Sequence, residues 1–324
     1  MIRLSKIFAL LGLTLIVGHW LITPSFAESY PSKTVTLVVP YSPGGRTDLT
    51  ARIVSGVFEK YLGVSVVIEN KPGASSVRGS KEVARSKPDG YSLGFFSNGF
   101  VASQYTVTTP NNAKEFELIG LINTDPAAIA VVANAPWRSL KELVEYAKKN
   151  PGKIKSGINT GAATHVFEAA FAKAAGIKFK SVPYKSGSER IPALLGEHVD
   201  VNFEIVAPLR SLVDAGRVRI LAIAADQRNP MYPDFPTAKE QGVNWVMSSW
   251  HGIFAPKGTP MDRIAVLENA LKKTAHDQEL IALMNKSLLQ VKYFNRREFI
   301  EFFKKQDSTF EEIIRDLGLY KRPE

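Results

Sequence analysis

Residues 34–39 read TVTLVV, an apolar run short enough for a buried strand and closed by Pro40. From about Asp48 the period changes, with Leu49, Ile53, Val57 and Tyr61 recurring every fourth residue on one face of a predicted helix. Residues 64–69 are again strand-like, Asn70-Lys71-Pro72-Gly73 turns the chain, and 77–85 reads as a short helix. Pro88-Asp89-Gly90 then leads into a strand over 91–96. The order βαβαβ predicts an α/β fold with a parallel sheet and helices on both faces.

A similar rhythm resumes with a strand over 127–133, a helix over 140–149 and a strand over 153–157. A helix after Thr164 has Val166, Ala170, Phe171 and Ala174 as its core face, and another covers 189–195. A strand at 200–204, a helix at 208–215 and a strand at 218–224 complete this unit. A strand at 251–255 precedes a mostly helical tail that ends in an amphipathic helix near 297–317. Two α/β units of similar size predict two lobes. Crossings near 123–126 and 247–251 would return the tail to the first lobe and leave a cleft between the lobes. On that reading lobe 1 comprises 28–125 plus 250–324, and lobe 2 comprises 126–249. No fixed-period repeat or low-complexity tract interrupts the pattern.

The first residues stand apart from this rhythm. Arg3 and Lys6 precede an apolar run that is interrupted by His19, closed by Pro24 and followed by Ser25-Phe26-Ala27. This is the pattern of a secretory signal over 1–27 with cleavage after Ala27, which predicts a soluble exported protein. The chain has no cysteine, so no disulfide framework and no lipid-bearing thiol exist, and stability must come from a large core. A bacterial periplasm suits such a chain.

The 41 Lys and Arg against 31 Asp and Glu give a formal charge of +10, which becomes about +8 once Arg3 and Lys6 leave with the leader. The basic residues are scattered, without the Lys/Arg blocks and interleaved aromatics of a nucleic-acid surface, so no nucleic-acid partner is expected. A mild bias toward anionic small molecules, or plain solubility, accounts for the excess.

The chemistry concentrates at two corners. VVPYSPGGRTD (38–48) takes an apolar strand through two prolines and two glycines into a helix start, where unpaired N–H groups and a positive dipole end favour an anion. It lacks the third glycine of a dinucleotide fold and the Lys-Ser or Lys-Thr of a phosphate loop, so neither a nucleotide nor any other cofactor is expected. SGINTGAATH (156–165) leaves a strand through small and hydroxyl residues in the same way. There is no G-x-S-x-G elbow or S-x-x-K. His165, His198 and His251 are not spaced for a metal, so no metal site and no catalytic residue is assigned.

The ordered blocks VVPYSPGGRTD, VVIENKPGASS, SKPDGYSL, NPGKIKSGINTGAATH, SVPYKSGSERIPALLGEHVDV, AGRVRILAIA and IFAPKGTP span nearly the whole mature chain. In this set the sequence resembles the substrate-binding receptors of tripartite tricarboxylate transporters, the Bug receptor family. The resemblance implies a two-lobed, Venus-flytrap periplasmic binding protein, not an enzyme, that captures a small organic acid and delivers it to a membrane permease; nothing in the sequence argues against a monomer. It places the ligand against Ser42, Pro43, Gly44, Gly45, Thr47 and Asp48 of the first loop, where Tyr41 and Arg46 are further candidates. The second loop contributes Asn159, Thr160, Gly161, Ala163, Thr164 and His165. Further lining is implied at Ser97 and Asn98, at Tyr184 and Lys185, and at Asn202, Phe203 and Glu204.

Two positions depart from the family pattern. Arg46 stands where a small or hydroxyl residue is usual, and either forks a ligand carboxylate in the cleft or faces solvent. Ala162-Ala163 replaces a pair that often includes Ser. Glu204 meets an amino group, neutralises Arg46 or lies exposed; Asp48 shapes its helix start more than it touches an anion. His165 is either a ligand contact or a packing residue. Phe100, Phe203 and Trp250 either floor the pocket or belong to the core. Rival readings are a secreted two-lobe hydrolase or lyase using His165 with a nearby hydroxyl, and a ligand-sensing module for a membrane sensor.

Overall fold

The computed structural model describes residues 30–108 and 112–321, so the leader and its cleavage site lie outside the described residues. The chain begins β1 (Val35–Val39), α1 (Arg46–Leu62), β2 (Val66–Asn70), α2 (Val77–Arg85), β3 (Ser92–Ser97) and α3 (Asn98–Thr106). A long strand, β4 (Phe116–Val132), leads to α4 (Leu140–Lys149), β5 (Lys155–Ile158), α5 (Ala163–Ala175), β6 (Lys180–Pro183) and α6 (Gly187–Leu195). Then follow β7 (Val201–Ile205), a 3-10 turn at Ala207–Leu209, α7 (Arg210–Asp214) and β8 (Val218–Ile223). The return strand β9 (Ser248–Pro256) precedes α8 (Met261–Ala275), α9 (Gln278–Lys286), β10 (Val291–Phe294) and α10 (Arg296–Asp316).

The sheet order is β2-β1-β3-β9-β4-β7-β5-β6, with β8 and β10 also on β4. The expected parallel sheet is realised only within each half, β2-β1-β3 and β7-β5-β6. Between them β4 and β9 run antiparallel to their neighbours, which makes the whole sheet mixed. The first part of β4 pairs β9 and β10, while Ala127–Val132 pairs β7 and β8. One strand therefore serves both lobes of this α/β fold. Irregular stretches at 121–123 against β9 and at 129–130 against β8 flank Pro126, which has no N–H to give the ladder, and a further one lies at 118–120.

Several sequence expectations need correction. The first half of β4, β6, β10 and α3 carry structure where none was expected, and the helix expected at 208–215 is a 3-10 turn plus the five residues of α7. On α1 the buried face is Thr50, Ala51, Val54, Ser55, Val57, Phe58 and Leu62, whereas Leu49 and Tyr61 are exposed. On α5, Val166 and Phe171 are buried but Ala174 is exposed. The amphipathic pattern placed the helix correctly and its inward face only in part. Phe100, Phe203 and Trp250 are core residues, wholly buried. They belong to one apolar cluster that joins Phe96, Phe254, Phe299 and Phe310 of the first lobe to Phe167, Phe171 and Trp245 of the second.

Candidate functional site

The register fixes where the loops point. Ser97 at the carboxyl end of β3 pairs His251 near the start of β9, and β1 and β2 run parallel to β3. In the other lobe Ile205 at the carboxyl end of β7 pairs Ala127, just past the crossing, with β5 and β6 parallel to β7. The carboxyl ends of both parallel sets thus converge on the crossing strands, the arrangement in which open α/β sheets hold ligands.

Five helices start at that edge, and none of α1, α2, α3, α5 and α6 has a side chain capping its first turn. On the opposite edge Ser139, Asp277 and Asn295 cap α4, α9 and α10, the last through a full capping box. Only α8, entered through Pro260, breaks the contrast. A helix start carries N–H groups without intrahelical acceptors and a partial positive charge. Their concentration on one edge makes that edge an anion-seeking surface.

At the first corner Ser42, Pro43, Gly44 and Gly45 are exposed. Gly44 holds φ +78°, and a Cβ placed there would meet nothing within 4 Å. Gly44 N–H donates to Asp48 Oδ2 at 2.9 Å, and Arg52 Nε and Asn70 Nδ2 donate to the same carboxylate at 3.0 and 2.9 Å. Burial would raise the Asp48 pKa, but these three donors outweigh it and hold the carboxyl below its usual range. Asp48 is therefore a brace for the loop. Tyr41 places its hydroxyl 3.0 Å from Ser97 Oγ, and burial pushes its pKa up. Asn98, also buried, donates to the Ser248 carbonyl at 2.8 Å and accepts from Trp250 N–H at 3.0 Å.

Arg46 does neither of the things expected of it. Its guanidinium pairs with Asp125 and donates to Ser249 Oγ at 2.7 Å and Asn123 Oδ1 at 3.3 Å. Asn123 Nδ2 faces two acceptors, Asp125 Oδ2 at 3.1 Å and the Gln290 carbonyl at 2.7 Å, which turns its Oδ1 toward Arg46 and His251. His251 Nδ1 lies 2.8 Å from that oxygen and must carry the proton, so Nε2 accepts from Thr47 Oγ1 at 3.1 Å. Burial first, and the Arg46 charge second, hold the His251 pKa well below its ordinary value, which keeps the ring neutral.

The second corner is braced without charge. Gly161 at φ +72° precedes Ala162, the N-cap of α5, and Gly161 N–H donates to His165 Nδ1 at 3.3 Å. That bond leaves the proton of the neutral ring on Nε2, and burial lowers the His165 pKa. Thr164 Oγ1 accepts from Asn159 N–H at 3.3 Å, and Asn159 Nδ2 donates to the Tyr184 carbonyl at 2.9 Å. Thr160 and Lys185 are exposed, and Ala163 and Tyr184 are half-buried. Thr106, at the end of α3, lies 3.2 Å from where a Gly161 Cβ would sit, so the end of α3 packs against this corner.

Below α6 the expected lining gives way to a buried ion pair. Glu204 accepts from Arg190 Nη2 at 2.7 Å and so pairs neither a ligand amine nor Arg46. Arg190 also donates to the Phe203 carbonyl at 3.0 Å, and its own carbonyl accepts from Asn202 Nδ2 at 2.8 Å. Asn202 and Phe203 are fully buried and serve the core. The structure adds Asn70, Asn123, Asp125, Arg190, Ser249 and His251 to the residues around the cleft. Their sequence signal was confined to polar residues inside apolar runs. Both arginines here are paired with protein carboxylates.

The family model described as tripartite tricarboxylate transporter family receptor matches residues 50–319. A Cupriavidus necator protein described as "UPF0065 protein in gbd 5'region" is 31% identical over 297 residues, covering 91% of this chain and 90% of that one. Among solved structures, a TctC solute binding protein from Polaromonas aligns with a TM-score of 0.79 at 28% identity, covering 89% of this chain and 99% of that one. The periplasmic binding protein BugD aligns at 0.74 and 32% identity, covering 90% and 99%. MatC from Rhodopseudomonas palustris, solved with bound malate, aligns at 0.74 and 24% identity, covering 88% and 100%, and shares the fold.

Proposed function

The chain belongs to the tripartite tricarboxylate transporter receptor family, and from that premise we propose that it is a periplasmic receptor that captures a small organic acid and delivers it to a membrane permease. The family is one of receptors and not of enzymes. The observation that carries the reading is the concentration of uncapped helix starts on the one edge where both lobes meet. A carboxylate between the two corners satisfies donors from both lobes at once, so the acid favours the closed arrangement by its differential affinity for it.

In this reading 28–125 with 250–324 form one lobe and 126–249 the other, and the leader is removed after Ala27. Gly45, Arg46 and Thr47 offer backbone N–H groups from the first corner, with Gly44 shaping the turn before them. Thr160, Ala163 and Thr164 offer them from the second, with Gly161 shaping the turn. Ser42, Tyr184 and Lys185 rim the cleft, while Tyr41, Asp48, Ser97, Asn98, Asn159 and His165 hold the loops in shape. MatC, with its bound malate, makes a dicarboxylate the first class to try. The neutralised arginines fit a ligand gripped by dipoles and not by a bare cation.

The test is thermal unfolding of the mature protein with mono-, di- and tricarboxylates, aromatic acids and amino acids, each beside its amide. An acid at about a hundred times its dissociation constant adds roughly 2.7 kcal/mol and raises the midpoint visibly. Stabilisation by an acid and not its amide is the expected result. Equal response to both, or to neither, across the panel counts against acid capture.

A further inference from the structure

Arg46 and Thr47 are consecutive residues of the first corner, and both reach to the crossing strands. Arg46 engages Asn123 and Asp125 on β4 and Ser249 on β9; Thr47 engages His251 on β9. Asn123 lies between the two tethers, contacting Arg46 and His251 through one oxygen. Gln290, in the segment before β10, donates its N–H to Asp125 Oδ1 at 2.9 Å and accepts from Asn123 through its carbonyl. The Gln290 side chain accepts from Asn229 of the second lobe at 2.9 Å. Loop, crossing strands and second lobe are linked through one polar cluster.

We propose that the Arg46–Asp125 pair sets the angle between the lobes, Arg46 acting as a positioning residue that ties the N–H groups of the first corner to the strands on which the lobes turn. The backbone ladder is weakest at this point, because Pro126 donates nothing and irregular pairing flanks it at 121–123 and 129–130. Side chains supply the missing cross-ties. Asp125 is buried, so without Arg46 its charge loses its partner. The Arg46 Nε–H is buried without an acceptor, and the guanidinium spreads over three residues on two strands. That is the geometry of a bridge, unlike the two-pronged grip of arginine on a free carboxylate.

The inference rests on the reading of two lobes that move, and its test separates the two. Because the chain has no cysteine, Lys87→Cys in the first lobe and Lys149→Cys in the second, both exposed, take spin labels at chosen sites. Pulsed dipolar spectroscopy then reads the interlobe distance without any ligand. Arg46→Met and Asp125→Asn are each expected to broaden or displace the distribution. The double variant, which removes both charges and leaves none stranded, is expected to do so no more than either single change. An unchanged distribution in the double variant, or single effects that add, overturns the proposal. A variant whose only change is a lower melting point, with the parent's distance, also overturns it. Adding malate, succinate, adipate and benzoate to the labelled parent tests closure separately: no movement with any of them counts against the capture reading and leaves the unliganded comparison intact.

Discussion

At the first corner a glycine at φ +78° precedes the extended N-cap Gly45; at the second a glycine at φ +72° precedes the extended N-cap Ala162. The two lobes present the same backbone to the cleft. What holds it differs. Asp48, Arg52, Arg46 and Asp125 brace the first corner with charge, and Arg46 carries that brace to both crossing strands. Thr164, His165 and Asn159 brace the second with neutral bonds, all to its own lobe. One corner is thus tied to the frame of the molecule and the other to its neighbourhood, so similar loop backbones can carry different mechanical consequences.

Removing the charges separates the lobes most. Arg190→Met leaves Glu204 without its buried partner and should cost roughly 3–5 kcal/mol in denaturant unfolding. Arg46→Met should cost less, about 2 kcal/mol, because the stranded Asp125 keeps Gln290 N–H and Asn123 Nδ2 as donors while Glu204 keeps the Ile205 N–H. Equal losses would mean that the remaining donors do not distinguish the two pairs.

The glycines test the shared backbone. Gly44→Ala and Gly161→Ala should each cost about 1–2 kcal/mol for the left-handed conformation. Gly161→Ala should be the worse, since its methyl would lie 3.2 Å from Thr106 while that at Gly44 meets nothing within 4 Å. Chemical denaturation of both variants decides it, and a reversed order would remove the interlobe contact at the second corner.

Thr164→Val removes the acceptor for Asn159 N–H and should cost about 1 kcal/mol by the same measurement. No change in stability would show that the second corner is held by Asn159 Nδ2 and His165 alone.

The smallest effect is in pH. In the folded protein the His251 pKa lies well below 6.5, so the unfolded chain takes up a proton first as pH falls. Its stabilisation is present above about pH 6.5 and declines below it, toward the lowered folded pKa. His165 is shifted in the same direction by burial. His251→Gln should flatten the rise of urea midpoints between about pH 5 and 7 more than His165→Gln, because His251 is wholly buried. Identical slopes in His251→Gln and the parent would contradict the neutral ring.

The corners were legible because Gly, Pro and small residues directly after apolar runs leave little choice but a turn into a helix. The helix α1 was legible but its face was not. Thr50 and Ser55 pack inward beside Val54 and Phe58, while Leu49 and Tyr61 look outward, so polarity misreports direction there. The first half of β4 escaped because a strand covered on both sides shows no alternation, and its Asn123 and Asp125 read as part of a crossing between lobes. Arg46 and Asp125 are 79 residues apart, and nothing local links them. The same holds for the partnership of Arg190 with Glu204, which converted a predicted ligand contact into a buried support.

The shared strand has a consequence for how the molecule comes apart. β4 lies in both halves of the sheet, and a single apolar cluster passes from Phe254 and Phe299 to Phe171 and Trp245. Each half also has a core of its own, around Val35, Phe58 and Leu271 in one and around Leu194 and Leu209 in the other, but the shared strand and the shared cluster couple them, so heating should melt the two together in one cooperative step. Hydrogen exchange should find its slowest amides along β4 and β9, on either side of Pro126, and the fastest exchange in the loops at the cleft.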